Sequence, residues 1–283
     1  MFRLLWRLVL LAGLLACLGL LGWWLVHRAP RPGEAVAPPQ VALTPAATPP
    51  VEVAAATAVP AAKGPRLAIC IDDWGYLAAP VQRLREGLRF PMTTSILPDL
   101  PHSVDSAEAS FAAGHEVILH CPMQSVRNVG REKTTLLTTM SAEQCRAALE
   151  KEWAAVPHLV GLNNHEGSAA SADRALMDTV AAFLKEHNAF FLDSVTTPKS
   201  AIPAAARAAG VPWARRRVFL DNDESAPAVA AQFRVAIAAA KKNGSCIAIG
   251  HPHPETLKVL EQLAPEAAAE GVTLVTVGAL VHP

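Results

Sequence analysis

From Arg66 onward, short apolar runs alternate with amphipathic or alanine-rich stretches at near-even intervals, and this rhythm constrains the fold more than any other feature. Strand-like runs occupy 67–71, 93–97, 116–119, 159–163, 190–193, 218–221, 246–250 and 273–277. Helical segments lie between them at 78–87, 104–113, 141–155, 173–186, 201–209, 226–242 and 255–270. Strand and helix in strict alternation predict a parallel sheet wound with helices. Eight such runs fit a distorted (β/α) barrel better than a flat, doubly wound sheet. Ser141 with Gln144 predicts a capping box at one helix start. Gly114, Gly210, Gly244 and Gly271 follow helical segments, where left-handed C-terminal caps belong.

The front of the chain has a different character. Residues 8–26 are nineteen without a charge, preceded by Arg3 and Arg7 and followed by His27, Arg28 and Arg31. That length suits an uncleaved transmembrane signal-anchor, with Trp23 and Trp24 at the expected interface. Residues 29–65 carry nine prolines among Ala, Val and Thr, the composition of an extended tether. The expected organisation is thus an anchor helix over 1–28, a Pro/Ala-rich disordered linker over 29–65 and a folded domain over 66–283. It places the domain in the periplasm or another extracytoplasmic space, attached to the inner membrane through the N-terminal helix.

Lysine and arginine balance aspartate and glutamate at 25 each, so formal charge is zero. That removes the electrostatic case for nucleic acid, which needs a basic face. Of five cysteines, Cys17 falls in the apolar leader; Cys70, Cys121, Cys145 and Cys246 show no metal or disulfide spacing and read as small hydrophobes.

Polar residues gather where the strands end. The first run ends in Asp72-Asp73, the third in His120, the fourth in Asn163-Asn164-His165-Glu166-Gly167-Ser168. The later ones end in Asp193-Ser194, Asp221-Asn222-Asp223 and Gly250-His251-Pro252-His253. In a parallel barrel these ends converge on one face. Imidazoles and carboxylates collected there suit a divalent metal, zinc above all, with one coordination position open to water. Successive strand residues point to opposite faces, so Asp72 and Asp73 are not expected on the same side of the sheet.

The segments 71–75 (IDDWG), 114–123 (GHEVILHCPM), 161–168 (GLNNHEGS), 190–194 (FFLDS) and 249–256 (IGHPHPET) resemble, in order, the divergent polysaccharide deacetylase family, distant relatives of the NodB-type carbohydrate esterases. The resemblance implies a distorted (β/α) barrel and a metal-dependent deacetylase acting on an envelope or secreted polysaccharide. It implies Asp72 as catalytic base, Asp73 and His120 as metal ligands, His251 as the acid that protonates the leaving group, and Asp193 as the residue that orients it. Four residues after His120, where the wider esterases carry a second histidine, this chain has Gln124. The missing ligand must then come from elsewhere, and His165 on the next strand end is the candidate. Asn163, Asn164 and Ser168 are read either as partners of sugar hydroxyls or as turn residues, and Trp74 either as a sugar-stacking platform or as a barrel wall. The competing function is a carbohydrate-binding envelope protein that keeps the fold without turnover. Gln124 favours the binder, and the Asp72, Asp73 and His251 set favours the enzyme.

Overall fold

A computed structural model describes residues 64–127, 132 and 134–283. The chain runs β1 (Arg66–Trp74), α1 (Ala78–Glu86), β2 (Thr93–Ile96), α2 (Ser103–Ala112), β3 (Glu116–Met123), α3 (Ala142–Ala155), β4 (Leu159–Glu166), α4 (Arg174–Glu186) and β5 (Phe190–Asp193). It continues through α5 (Ile202–Ala209), β6 (Trp213–Arg215), β7 (Val218–Phe219), α6 (Ala226–Asn243), β8 (Ser245–Gly250), α7 (Pro254–Ala269) and β9 (Thr273–Val275).

The strands form one curled parallel sheet in the order β6-β5-β4-β3-β2-β1-β8-β7. β9 joins it by pairing with the first residues of β1. Its two edges, β6 and β7, are consecutive in the chain. Between them the Arg216 N–H donates to Asp193 O at 2.9 Å on one side, and the Arg217 N–H to Ile247 O at 2.9 Å on the other. One extended stretch therefore bridges the open side of the curl. The expected capping box at Ser141 and Gln144 is present at the start of α3. Gly210 and Gly244 close their helices in the left-handed conformation, at φ 67° and 79°.

The longest helix among the described residues, α6, has 18 residues and carries Arg234, Lys241 and Lys242. No helix among them is long and apolar enough to cross a membrane. The transmembrane architecture, the membrane partner and the inner-membrane location expected from the sequence are corrected accordingly. The segments read as anchor (1–28) and linker (29–65) lie outside the described residues, save for the last two positions of the linker.

Period-two alternation divides the strand side chains between two cores. Leu67, Ile69 and Ile71 pack outward under the helices with Val117, Leu119, Phe191, Ala248 and Leu220. Ala68, Cys70, Ile118, Phe190, Leu192, Ile247 and Ile249 fill the inside of the curl. Inner-face residues at the carboxyl ends of the strands therefore line the mouth, and this parity selects the site. All four described cysteines are buried and free.

A carboxylate also sits in the outer layer. Glu152 on α3 is fully buried, and burial pushes its pKa up to about 8, offset in part by the Cys121 and Thr134 side chains. The folded state then holds a proton that the unfolded chain releases near its ordinary 4.5, so stability is full below that pH and declines as pH rises through about 8. Glu152→Gln should raise stability at pH 9 by on the order of a few kcal/mol, read as a higher Tm. The gain should vanish near pH 5, which thermal melts across that range would check.

Candidate metal centre and active site

The first two carboxylates reach the mouth by different routes. Asp72 continues the inward parity of Ala68 and Cys70 and is buried. Asp73 would point outward on a regular strand. However, the β1–β2 register shifts between Ile71 and Trp74, and Asp73 takes the left-handed φ of 59°. A bulge of this kind re-aims a side chain, and so both carboxylates face the mouth. The expectation of opposite faces is thereby corrected. The strain of a non-glycine residue at positive φ is typical of a functional position.

Three electron-pair donors converge there. Asp73 Oδ1 lies 3.1 Å from His120 Nε2 and 3.1 Å from His165 Nδ1, and the two imidazole nitrogens are 3.1 Å apart. Asp73 Oδ1 is buried with no hydrogen-bond donor upon it. Donors of a tetrahedral zinc lie about 3.3 Å apart, given metal–ligand bonds of about 2.0–2.1 Å. The triad therefore fits a divalent cation in spacing and in chemistry. The far sides of both rings are also held: His120 Nδ1 meets Asn163 Oδ1 at 2.8 Å, and His165 Nε2 lies 3.7 Å from Glu132 Oε1. Such outer partners orient ligating histidines. Burial opposes charge on His120, but Asp72, Asp73 and Asn163 outweigh it and raise its pKa to about 9. Burial likewise works against an ionised Asp73, yet its two histidines hold the carboxyl far below the usual range.

Gln124 does not enter this set. Its side-chain carbonyl accepts from the backbone N–H of Thr138 at 2.9 Å and its hydroxyl at 3.0 Å, fixing the loop before α3. His165 supplies the third donor from β4 instead.

His251 stands on the other side of Asp73, its Nε2 3.9 Å from Asp73 Oδ2. Its Nδ1 is 3.0 Å from Asp221 Oδ1, its backbone N–H donates to Asp221 Oδ2 at 2.7 Å, and Thr256 Oγ1 donates to the same oxygen at 3.0 Å. Burial tends to lower the His251 pKa, but Asp221, Asp73 and Asp72 together raise it above the ordinary value. Gly250 leaves room for this carboxylate, since a Cβ there would meet Asp221 Oδ2 at 3.2 Å. A second group, Asp221, His251 and His253, also brings three ligating atoms together.

Asp221 thus occupies the position the sequence reading gave to Asp193. Parity explains the exchange. On β5, Phe190 and Leu192 face inward, so Asp193 follows Phe191 to the outer side. It is fully buried, accepts from the Val195 N–H at 2.8 Å and pairs with Arg215 at 3.2 Å. Along β7 and the two residues after it, Val218 and Leu220 face outward, which turns Phe219 and then Asp221 inward. That alternation was the signal in the sequence that identifies Asp221.

The residues read as sugar partners are engaged within the protein. Asn163 is fully buried between His120 and Asp72. Asn164 accepts from the Ser194 N–H at 3.0 Å and donates to Glu166 O at 2.8 Å. Ser168 Oγ accepts from the Val126 N–H at 2.9 Å. Trp74 is buried, yet with Tyr76, Leu77, Pro80, Pro252 and Pro254 it lines a cavity of about 170 Å³ that opens beside Asp73 and His251.

The sequence profile of the divergent polysaccharide deacetylases matches residues 69–281. The chain belongs to this family. It is 37% identical to the uncharacterized protein YibQ of Escherichia coli K12, over 77% of this chain and 67% of that one. It is 38% identical to an uncharacterized Haemophilus influenzae protein over 69% and 70% of the two chains. The crystal structure of the uncharacterized protein ATU2773 from Agrobacterium tumefaciens C58 superposes with a TM-score of 0.74 at 21% identity, covering 77% of this chain and 89% of that one. A mutant of BA3943, described as a CE4 family pseudoenzyme, gives a TM-score of 0.50 at 14% identity over 76% and 67%. These two superpositions show that the chain shares their fold. Taken with the family, the His/Asp donor groups form a metal-dependent, deacetylase-type active site.

Proposed function

We propose that the protein is a zinc-dependent hydrolase that removes acetyl groups from a polysaccharide. The observation that carries this reading is the convergence of Asp73 Oδ1, His120 Nε2 and His165 Nδ1 at mutual distances of 3.1 Å, with a carboxylate on one side and an Asp-held imidazole on the other. Asp73, His120 and His165 would hold the metal, which when bound polarises an acyl carbonyl and acidifies water. Asp72 is the base: its Oδ2 lies 3.7 Å from His120 Nε2, so it borders the same position and takes the proton from the attacking water. His251 gives a proton to the departing amine or alcohol, and Asp221 fixes its ring and supports its charge. Acetate and a free amine or hydroxyl are the products. Trp74 lines the cavity beside His251 as a buried wall, and the exposed Tyr76 is the aromatic side chain there suited to pack against a sugar ring.

The binding-only reading drew on Gln124, and a donor from β4 in its place weakens that support. Acetate release from acetylated glucosamine oligomers and acetylated xylan, with and without zinc, tests the proposal. Release that stops on chelation and returns with zinc is the expected result. Zinc binding with no release from any acetylated glycan would leave a sugar-binding protein as the better account.

A further inference from the structure

Asn163 has a stronger claim to a role than a contact with sugar. It is fully buried on β4, beside His120 on β3, its side chain reaching across the curl to Asp72 on β1, and its amide is saturated. Nδ2 donates to Asp72 Oδ1 at 2.9 Å and Oδ2 at 3.1 Å, and to Ser194 Oγ at 3.1 Å. Oδ1 accepts from the Ser95 hydroxyl and faces His120 Nδ1 at 2.8 Å. The direction of this network is forced. A carboxylate only accepts, so the amide nitrogen must face Asp72. The amide oxygen then faces His120, and Nδ1 must carry the proton. A neutral imidazole with Nδ1 protonated has its lone pair on Nε2, the atom that meets Asp73 and His165. A flipped amide would set oxygen against carboxylate and turn the His120 lone pair away from the metal position.

We propose, on the footing of the metal-dependent reading above, that Asn163 is a positioning residue that couples the two halves of the site. Its oxygen fixes the ligating tautomer of His120, and its nitrogen fixes the Asp72 carboxylate. One side chain thereby orients both the ligand and the base. The Cys70 thiol donates to Asp72 Oδ1 from the same strand face at 3.3 Å and completes the cradle.

Two substitutions separate the halves. N163A removes both contacts, and the zinc Kd, measured by chelator competition on the whole protein, should rise about 10–100-fold. The 15N signal of a protonated His120 Nδ1 in the zinc-loaded protein should be lost with it. N163D keeps the acceptor for His120 but puts a second carboxyl against Asp72. Zinc affinity should then hold to within a few-fold, while kcat for acetate release falls more than about 100-fold. If N163A does not fold, N163S, too short to span both partners, carries the same zinc expectation. Wild-type zinc affinity and an unchanged His120 Nδ1–H signal in the alanine or serine variant would overturn the assignment. A wild-type protein that binds zinc but releases no acetate would refute the hydrolase reading alone, because the zinc and 15N measurements still decide the role of Asn163.

Discussion

Asp73→Ala should weaken zinc binding by more than about 100-fold, beyond the range seen when only an outer-shell partner of a ligand is removed. The reason is local and specific. Asp73 supplies the only carboxylate among the three donors, and its buried Oδ1 has no other partner to satisfy it. It reaches the mouth only through the bulge and the positive φ of β1. His165→Ala should cause a loss of the same order, because β4 replaces the donor that β3 lacks. Gln124→Ala is the contrasting case. Its side chain is committed to Thr138, so zinc stoichiometry should stay at one while the loop before α3 loosens. Metal analysis and chelator competition on the three variants would read this out. Full zinc content in His165→Ala would remove His165 from the ligand set.

Asp72→Asn should leave zinc binding close to wild type and lower acetate release by about 10²–10⁴-fold, the contribution of a positioned general base. Asparagine keeps the shape of Asp72 and can still accept from Asn163, so the surrounding network should survive. What it cannot do is take a proton. Asp72 is 3% exposed, and Asp73 is the more accessible of the pair. Parallel assays of zinc content and acetate release would separate the two carboxylates: Asp73→Ala loses both quantities, whereas Asp72→Asn loses only turnover. Acetate release at the wild-type rate in Asp72→Asn would assign the base to another residue.

The outer layer of the fold was legible because it depends on periodicity. Apolar runs of strand length, helical segments with Ser141 and Gly210 at their ends, and the strict alternation between them set a parallel sheet with helices outside. β6 is not legible in the sequence, because Trp213–Arg215 has only three residues and leads into the charged Arg215-Arg216-Arg217. In the structure Arg216 is turned in, donating to Ser194 O at 2.7 Å and Val195 O at 3.1 Å. The membrane reading rested on residues 8–26, outside the described part, and among the described residues no helix carries it.

By itself the sequence determined that the polar residues gather at the strand ends, although Asp193, buried on the outer side and paired with Arg215, shows that a strand-end carboxylate can also serve structure. It also held, in the alternation Val218, Phe219, Leu220, Asp221, the inward turn of Asp221. Tertiary structure alone decided how those ends combine. A bulge reversed the face of Asp73, and neighbouring strands brought His165 against His120. Burial turned Asn163 from a candidate sugar contact into the link between ligand and base. These outcomes depend on angles and distances between segments far apart in the chain. A local pattern records which way a side chain points along its own strand, but not what it will meet across the sheet.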